Sequence, residues 1–147
     1  GFRYFNIFGP RQNPAGAYAA AIPLFIDGLL NNKPVYINGD GLQSRDFTFV
    51  SNVVKANMLA LTAPSEKVRG QVFNIAAGGS TSVLEIFNAL KKFSGSSVEA
   101  IHREDRKGEI RDSCADVSKA KAALNYEAEV NSETGLRLTV EWFKSTL

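Results

Sequence analysis

Arg3-Tyr4-Phe5-Asn6-Ile7-Phe8-Gly9-Pro10-Arg11-Gln12-Asn13-Pro14 is an apolar run that stops in a turn rich in amide, Gly and Pro. Together with Phe2, the residues Tyr4, Phe5, Ile7 and Phe8 make it almost continuously apolar and aromatic. That is the composition of a strand covered on both faces inside a parallel sheet. Parallel neighbours are joined by crossovers of about a dozen residues or more, and none precedes this strand. The expectation is that the chain is the second part of a larger protein. Asn6 interrupts the run, and a buried amide needs hydrogen-bond partners or a ligand. The residues alone support a bond to a neighbouring loop as well as they support a ligand contact.

Outward from this strand the pattern alternates helix and strand, the order of an α/β fold. Ala17 to Leu30 reads as a helix with Ala20, Leu24, Phe25 and Leu29 on adjoining faces, and Pro23 predicts a kink or break near Ala19 to Ile22. Val35 to Asn38 is a strand, Gly39-Asp40-Gly41 a tight turn that wants positive φ, and Arg45 to Val50 a second strand with alternating faces. Ser51 is placed to cap a helix to about Thr62 with Val54, Met58 and Leu61 at core spacing, and Pro64 stops it. Gln71 to Ala76 is another buried strand. It leads through Gly78-Gly79-Ser80-Thr81-Ser82 into a helix whose apolar face is Val83, Ile86, Phe87 and Leu90. This glycine loop lacks a dinucleotide or P-loop fingerprint, and the Ser82/Glu85 capping box accounts for its polarity.

Ser94-Gly95 ends that helix and Val98 to His102 reads as a short strand. Residues 103 to 115 form a polar loop, a pattern that belongs to solvated surface unless other residues give it a role. Asp116 or Ser118 caps a helix over Lys119 to Leu124, and Ser132 precedes a last helix with Leu136, Val140, Phe143 and Leu147 at helical spacing.

Composition narrows the function. The 147 residues are 44% hydrophobic and 22% charged, enough for one ordinary globular domain. The 17 basic and 15 acidic side chains are mixed along the chain, which excludes a nucleic-acid arm or a polybasic membrane patch and leaves anionic small molecules open. Cys114 is the only cysteine, so there is no disulfide framework, and the lone His102 cannot anchor a multi-His metal site. With no signal-peptide pattern and no apolar run long enough to span a bilayer, the expected setting is cytoplasmic.

RYFNIFGPRQNPAGAYAAAIP at 3–23, YINGDGLQSRDFTFV at 36–50, FNIA at 73–76 and RKGEIRDSCADVSKA at 106–120 occur in an order that resembles a known family. It is the C-terminal half of NAD-dependent nucleotide-sugar epimerases of the extended short-chain dehydrogenase/reductase superfamily. The NPAGAYAAAIP segment resembles more narrowly the UDP-N-acetylglucosamine 4-epimerases, some of which also interconvert UDP-glucose and UDP-galactose. The resemblance implies an NAD-binding Rossmann domain, of which residues 1–12 are the last strand and turn, and a small mixed α/β substrate domain over residues 13–147. It implies a homodimeric parent enzyme, with the absent N-terminal NAD domain and a UDP-sugar as this chain's partners.

The resemblance also assigns roles. Asn6 corresponds to an amide near the sugar-nucleotide diphosphate, and Arg45 and Arg106 to a pair that clamps it. A guanidinium suits that task because its planar fork meets phosphate oxygens bidentately. Tyr36 corresponds to an aromatic packed on uracil, Ala19 and Ala20 to a backbone segment meeting base and ribose, and Gln12 and Ser113 to positions bordering the hexose and its N-acetyl group. Arg106-Lys107-Gly108-Glu109 departs from the family's R-x-G-D, since Glu109 reaches one methylene further toward the hydroxyls its counterpart accepts from. No Tyr-x-x-x-Lys pair and no G-x-x-G-x-x-G loop occurs in the sequence, so no catalytic residue is assigned and this half is expected to be inactive alone. A nucleotide-sugar dehydratase or decarboxylase would share Asn6, Arg45 and Arg106. A non-catalytic nucleotide-sugar binding module is a further alternative.

Overall fold

The computed structural model describes residues 1–15, 20–106 and 108–146. In chain order the elements are β1 (Phe2–Tyr4), β2 (Ile7–Phe8), α1 (Ala21–Leu30), β3 (Val35–Asn38), β4 (Ser44–Arg45), β5 (Thr48–Phe49), α2 (Val50–Thr62) and α3 (Ser65–Val68). They continue with β6 (Phe73–Ile75), β7 (Thr81–Ser82), α4 (Val83–Ser94), β8 (Ala100–Arg103), β9 (Asp112–Ser113), α5 (Ser118–Leu124) and α6 (Ser132–Thr146).

The opening run is two strands, where its composition predicts one. Asn6 takes φ +39°, a left-handed conformation that Asn tolerates better than other non-glycine residues, and the chain turns there. β1 pairs in parallel with β6, Phe2 opposite Phe73 and Tyr4 opposite Ile75, whereas β2 pairs in parallel with β5. Asn6 is exposed between them and Tyr4 is 47% exposed, so neither the buried amide nor the fully covered strand is found.

Those two strands feed two cores. Phe8 of β2 joins Ile22, Phe25, Ile26 and Leu29 of α1, Val35 and Ile37 of β3, Ile86, Phe87 and Leu90 of α4, and Leu136 and Val140 of α6. Phe25 meets Phe87 edge to face at 5.9 Å, the geometry the ring quadrupoles prefer. Gly135 brings α6 close to β2 and β5, because a Cβ there would stand 2.8 Å from the Phe49 ring and 2.9 Å from Phe8. The second core gathers Ala56 of α2, Phe73 and Ile75 of β6, Ala120 and Leu124 of α5, and Tyr126, with Phe2 of β1 packed against it. The two are interleaved along the sequence.

Several local expectations change. α1 begins at Ala21, so Pro23 lies in its first turn, where its missing N–H costs no helix bond and no kink follows. The helical expectation for 17–19 falls outside the described residues. Leu24 is exposed, while Pro23 itself is buried. The 45–50 strand is broken at Asp46-Phe47 into β4 and β5. α2 starts at Val50 without a side-chain cap, so Ser51 is inside the helix.

The largest reversal is on α2. Asn52 and Ala56 are buried, and Val54, Met58 and Leu61 face outward. Asn52 is inside because it ties down residues 129–130: its Nδ2 donates to Val130 O at 2.8 Å, and its Oδ1 accepts from Glu129 N and Val130 N at 2.9 and 3.1 Å. At α6 the cap is Asn131, whose Oδ1 accepts from Thr134 N at 2.9 Å, and Ser132 is the first helical residue. The Ser82/Glu85 capping box is present as expected, and the Ser82 N–H and hydroxyl hold the Glu85 carboxyl below its usual range. The polar 103–115 segment contains β9, a strand its composition does not announce.

Tyr126 is buried, its hydroxyl donates to Ala76 O at 2.9 Å, and burial, with the nearby Asp46, pushes its pKa up to about 12 from 10.0. Above pH 10 the unfolded phenol ionises while the folded one stays neutral. The contribution present below pH 10 is therefore lost as pH rises toward 12. Urea unfolding of wild type and Tyr126→Phe from pH 8 to 12 checks this. Tyr126→Phe loses roughly 1 kcal/mol at pH 8, having left Ala76 O without its donor, and shows a shallower decline above pH 10. Parallel declines would contradict the assignment.

Candidate functional site

The site is assembled around Asp46, which is fully buried. Its carboxylate accepts from Ala77 N at 3.0 Å, Gly78 N at 3.1 Å and Ala115 N at 3.4 Å. Its carbonyl accepts from Asn6 Nδ2 at 3.3 Å, and Asn6 O accepts from Thr48 N at 3.2 Å. It forms no ion pair among the described residues; backbone N–H groups do the work that a buried carboxylate requires of its surroundings. One residue thus joins the β1–β2 turn through its carbonyl, and the loop after β6 and the segment after β9 through its carboxylate, at the break between β4 and β5.

The sheet β7-β4-β9 sits directly beside it. Arg45 is opposite Thr81 on one side and Ser113 on the other, which places residues remote in sequence on one floor. Arg45 Nη1 donates to Ser44 O at 2.7 Å and Arg111 O at 3.2 Å, and Nη2 pairs with Glu109 Oε1 at 3.3 Å. The carbonyls fix the guanidinium, and Glu109 occupies the edge that faces the cavity. Arg106 is exposed and forms no ion pair among the described residues.

The 103–115 segment is tied down at its far end. Arg111 meets both oxygens of Asp40 at 2.9 Å, and this bidentate contact holds the Asp40 carboxyl below its usual range while raising Arg111. Gly39 supports the contact by turning at φ +61°, the positive value the Gly-Asp-Gly turn demands.

Asn6, Arg45, Arg106, Gly108, Glu109, Ile110 and Ser113 line one cavity of about 570 Å³. An adjoining recess of about 240 Å³ shares Asn6, Arg45 and Glu109 and continues along Ala20, Ile22, Phe47 and Val83. A cationic, amide- and hydroxyl-bearing compartment therefore opens into an apolar one, an arrangement suited to a molecule with an anionic middle and a flat apolar end. Among the described residues no His, Cys, Asp or Glu cluster could hold a metal ion. No described helix is long and apolar enough to cross a membrane.

Of the residues singled out from sequence, Asn6, Arg45, Arg106, Glu109 and Ser113 come together on this cavity, and Ala20 lines the recess. Ala19 lies outside the described residues. Gln12 borders a different hollow beside Trp142 and Phe143, with its Nε2 donating to Ile7 O at 3.3 Å. Tyr36 lines neither compartment, and the Arg103 guanidinium sits over its ring at 3.3 Å. Asp46, Phe47 and Val83 are the residues that sequence reading overlooks. Asp46 suggests only a salt bridge to a neighbouring arginine, and nothing local reveals that three backbone N–H groups from elsewhere converge on it.

Because Glu109 occupies Arg45, it competes with any anion that enters. Glu109→Gln is expected to tighten binding of inorganic pyrophosphate up to roughly fivefold, the range of a partly exposed ion pair, as read by calorimetric titration. Unchanged or weaker binding would contradict that competition.

Residues 1–76 match the model of the NAD dependent epimerase/dehydratase family. The chain belongs to that family. The UDP-glucose 4-epimerase of Thermotoga maritima, solved with UDP-glucose, superposes on 99% of this chain with a TM-score of 0.91 and 41% identity. The UDP-N-acetylglucosamine 4-epimerase of Methanobrevibacter ruminantium, solved with UDP-N-acetylmuramic acid, gives 0.88 and 37% over 99% of the chain. The UDP-N-acetyl-alpha-D-glucosaminuronate decarboxylase of Bacillus cytotoxicus is 36% identical over 97% of it. This chain spans 45%, 46% and 45% of those three proteins, under half of each.

Proposed function

We propose that this chain is the nucleotide-sugar-binding half of an NAD-dependent 4-epimerase that interconverts UDP-N-acetylglucosamine and UDP-N-acetylgalactosamine, with UDP-glucose and UDP-galactose as further substrates. The observation that carries the proposal is the convergence of Arg45, Arg106, Asn6 and Ser113 on one cavity beside an apolar recess. In this reading the diphosphate lies between the two guanidinium groups and Asn6 donates to it. The base enters the recess over Ala20, Ile22, Phe47 and Val83, and a uracil that stacks on Tyr36 instead has to displace Arg103. The small Ser113 leaves space on the hexose side for an acetamido group, and Glu109, once released from Arg45, accepts from a ribose or sugar hydroxyl.

NAD, when bound, supplies the hydride acceptor for oxidation at C4 of the sugar. The described residues do not fit it as its main holder: at the two ends of the glycine loop the Gly78 and Ser82 N–H groups are already spent on Asp46 and on the Glu85 carboxylate of the α4 cap. This half instead grips the nucleotide firmly and leaves the hexose free to turn, so that binding energy from the non-reacting part positions the reacting ring. NAD therefore belongs with the other half of the parent enzyme. A decarboxylase reading, favoured by the Bacillus cytotoxicus relative, uses the same nucleotide grip on a UDP-sugar that bears a carboxylate, which leaves as CO2 and which the 4-epimerase substrates lack.

Calorimetric titration of UDP into the purified chain tests the assignment. Arg45→Ala together with Arg106→Ala is expected to weaken binding at least about tenfold, since each removes a charge-assisted contact. Arg45→Lys keeps the charge but loses the fork and falls in between. Equal affinity of wild type and the double variant would rule the clamp out.

A further inference from the structure

A second hollow lies where the turn after β2 meets the C-terminal ends of α1 and α6. It measures about 310 Å³; Leu30, Trp142 and Phe143 form its apolar wall, and Arg11, Gln12 and Asn31 bring polar groups to it. No residue that lines it lines either compartment of the nucleotide site. The apolar recess opens at the start of α1 and this hollow at its end, so the helix from Ile22 to Leu30, roughly 12 Å of rise, separates the two.

The hollow holds groups that the chain itself leaves unanswered. Gln12 Nε2 donates to Ile7 O at 3.3 Å, which fixes the orientation of the amide, and Oε1 is then a buried acceptor with no partner among the described residues. Such an acceptor calls for a donor. Arg11 forms no ion pair among the described residues. The Asp27 carboxylate, by contrast, is satisfied: Lys33 Nζ stands 3.0 Å from it and Asn31 Nδ2 donates to it at 2.8 Å. The guanidinium is therefore the uncompensated charge here. Trp142 is half-buried and meets Phe143 edge to face at 5.0 Å, and Phe143 is itself packed on the first core. An indole braced in this way offers a firm stacking face.

We propose that this hollow is a binding site for a phosphorylated monosaccharide, separate from the nucleotide site. The pyranose lays its C–H face on Trp142 and against Leu30, and a ring hydroxyl donates to Gln12 Oε1. The phosphate takes the Arg11 fork, whose paired N–H groups meet two of its oxygens. Other chemistries answer fewer of these groups. A flat aromatic acid stacks and pairs with Arg11 but leaves Gln12 Oε1 alone, a neutral sugar leaves Arg11 without a counter-charge, and bare phosphate uses neither the indole nor the acceptor. At an exposed guanidinium screened by water, a phosphate monoester with about two charges at pH 7 outweighs a carboxylate with one. The site stands on the hollow alone and holds whichever nucleotide the other cavity takes.

Trp142 is the only tryptophan of the chain, so its emission reports on this hollow. Titration of the purified chain with glucose 1-phosphate, excited at the red edge of the indole band where uracil and tyrosine are transparent, is expected to shift that emission saturably. Glucose binds roughly fivefold more weakly, the upper range of an exposed ion pair, and inorganic phosphate at the same concentration leaves the emission unchanged. Arg11→Gln, at an exposed position, keeps the melting temperature and lowers glucose 1-phosphate to the affinity of glucose; Arg11→Lys falls between. Saturating UDP-N-acetylglucosamine leaves the glucose 1-phosphate affinity as it was. The proposal is overturned by the absence of a saturable shift, by glucose or glucuronate binding as tightly as glucose 1-phosphate, or by a phosphate advantage that survives Arg11→Gln. An equal shift with inorganic phosphate also overturns it, reducing the site to a bare anion contact. So does competition by UDP-N-acetylglucosamine, which would make the hollow the hexose end of the nucleotide-sugar site.

Discussion

A buried carboxylate that lacks a cation must be satisfied by its backbone surroundings, and at Asp46 that requirement organises the site. Three N–H groups from two distant segments point at its oxygens, and its own carbonyl holds Asn6. Hydrogen bonds to a charged acceptor contribute about 1.5 to 3 kcal/mol each, several times a surface ion pair. The loops that form the cavity floor are therefore fixed relative to one another before any ligand arrives. Arg45 and Phe47, the two neighbours of Asp46, inherit that fixed position and line the polar and apolar compartments respectively.

Over this rigid floor lies a segment held at its ends. β8 is paired with β3 at the near end, and at the far end Arg111 is locked on Asp40 and β9 on β4, while Arg106 and Glu109 between these two anchorages line the cavity. Glu109 gives Arg45 a counter-ion within the cavity wall, which keeps a partly buried guanidinium from standing alone. An anionic ligand replaces that partner at modest cost because Glu109 is partly solvated.

Much of this was legible in the sequence, and the exceptions have physical causes. α4 was readable because its cap, its apolar stripe and its Gly95 end all agree locally. Arg45, Arg106, Asn6, Glu109 and Ser113 could be gathered only through the motif resemblance, since the bridge between Arg45 and Ser113 is a two-residue strand that no periodicity reports. The outward side of α2 could not be read, because Val54, Met58 and Leu61 have the spacing of a core face whether the cover belongs to this chain or to another. Asn6 was misread as buried since composition does not disclose a left-handed turn inside an apolar run. Asn52 was not anticipated for the converse reason: its burial depends on the 129–130 backbone that it binds.

The central claim is that the floor held by Asp46 receives the diphosphate of a nucleotide. Amide chemical-shift mapping by NMR during titration with UDP addresses it most directly. The account predicts perturbations concentrated at Asn6, Arg45, Phe47, Gly108 and Ser113, with the hollow beside Trp142 and Gln12 unaffected. Shifts confined to that hollow, or spread without reference to Arg45, would contradict it.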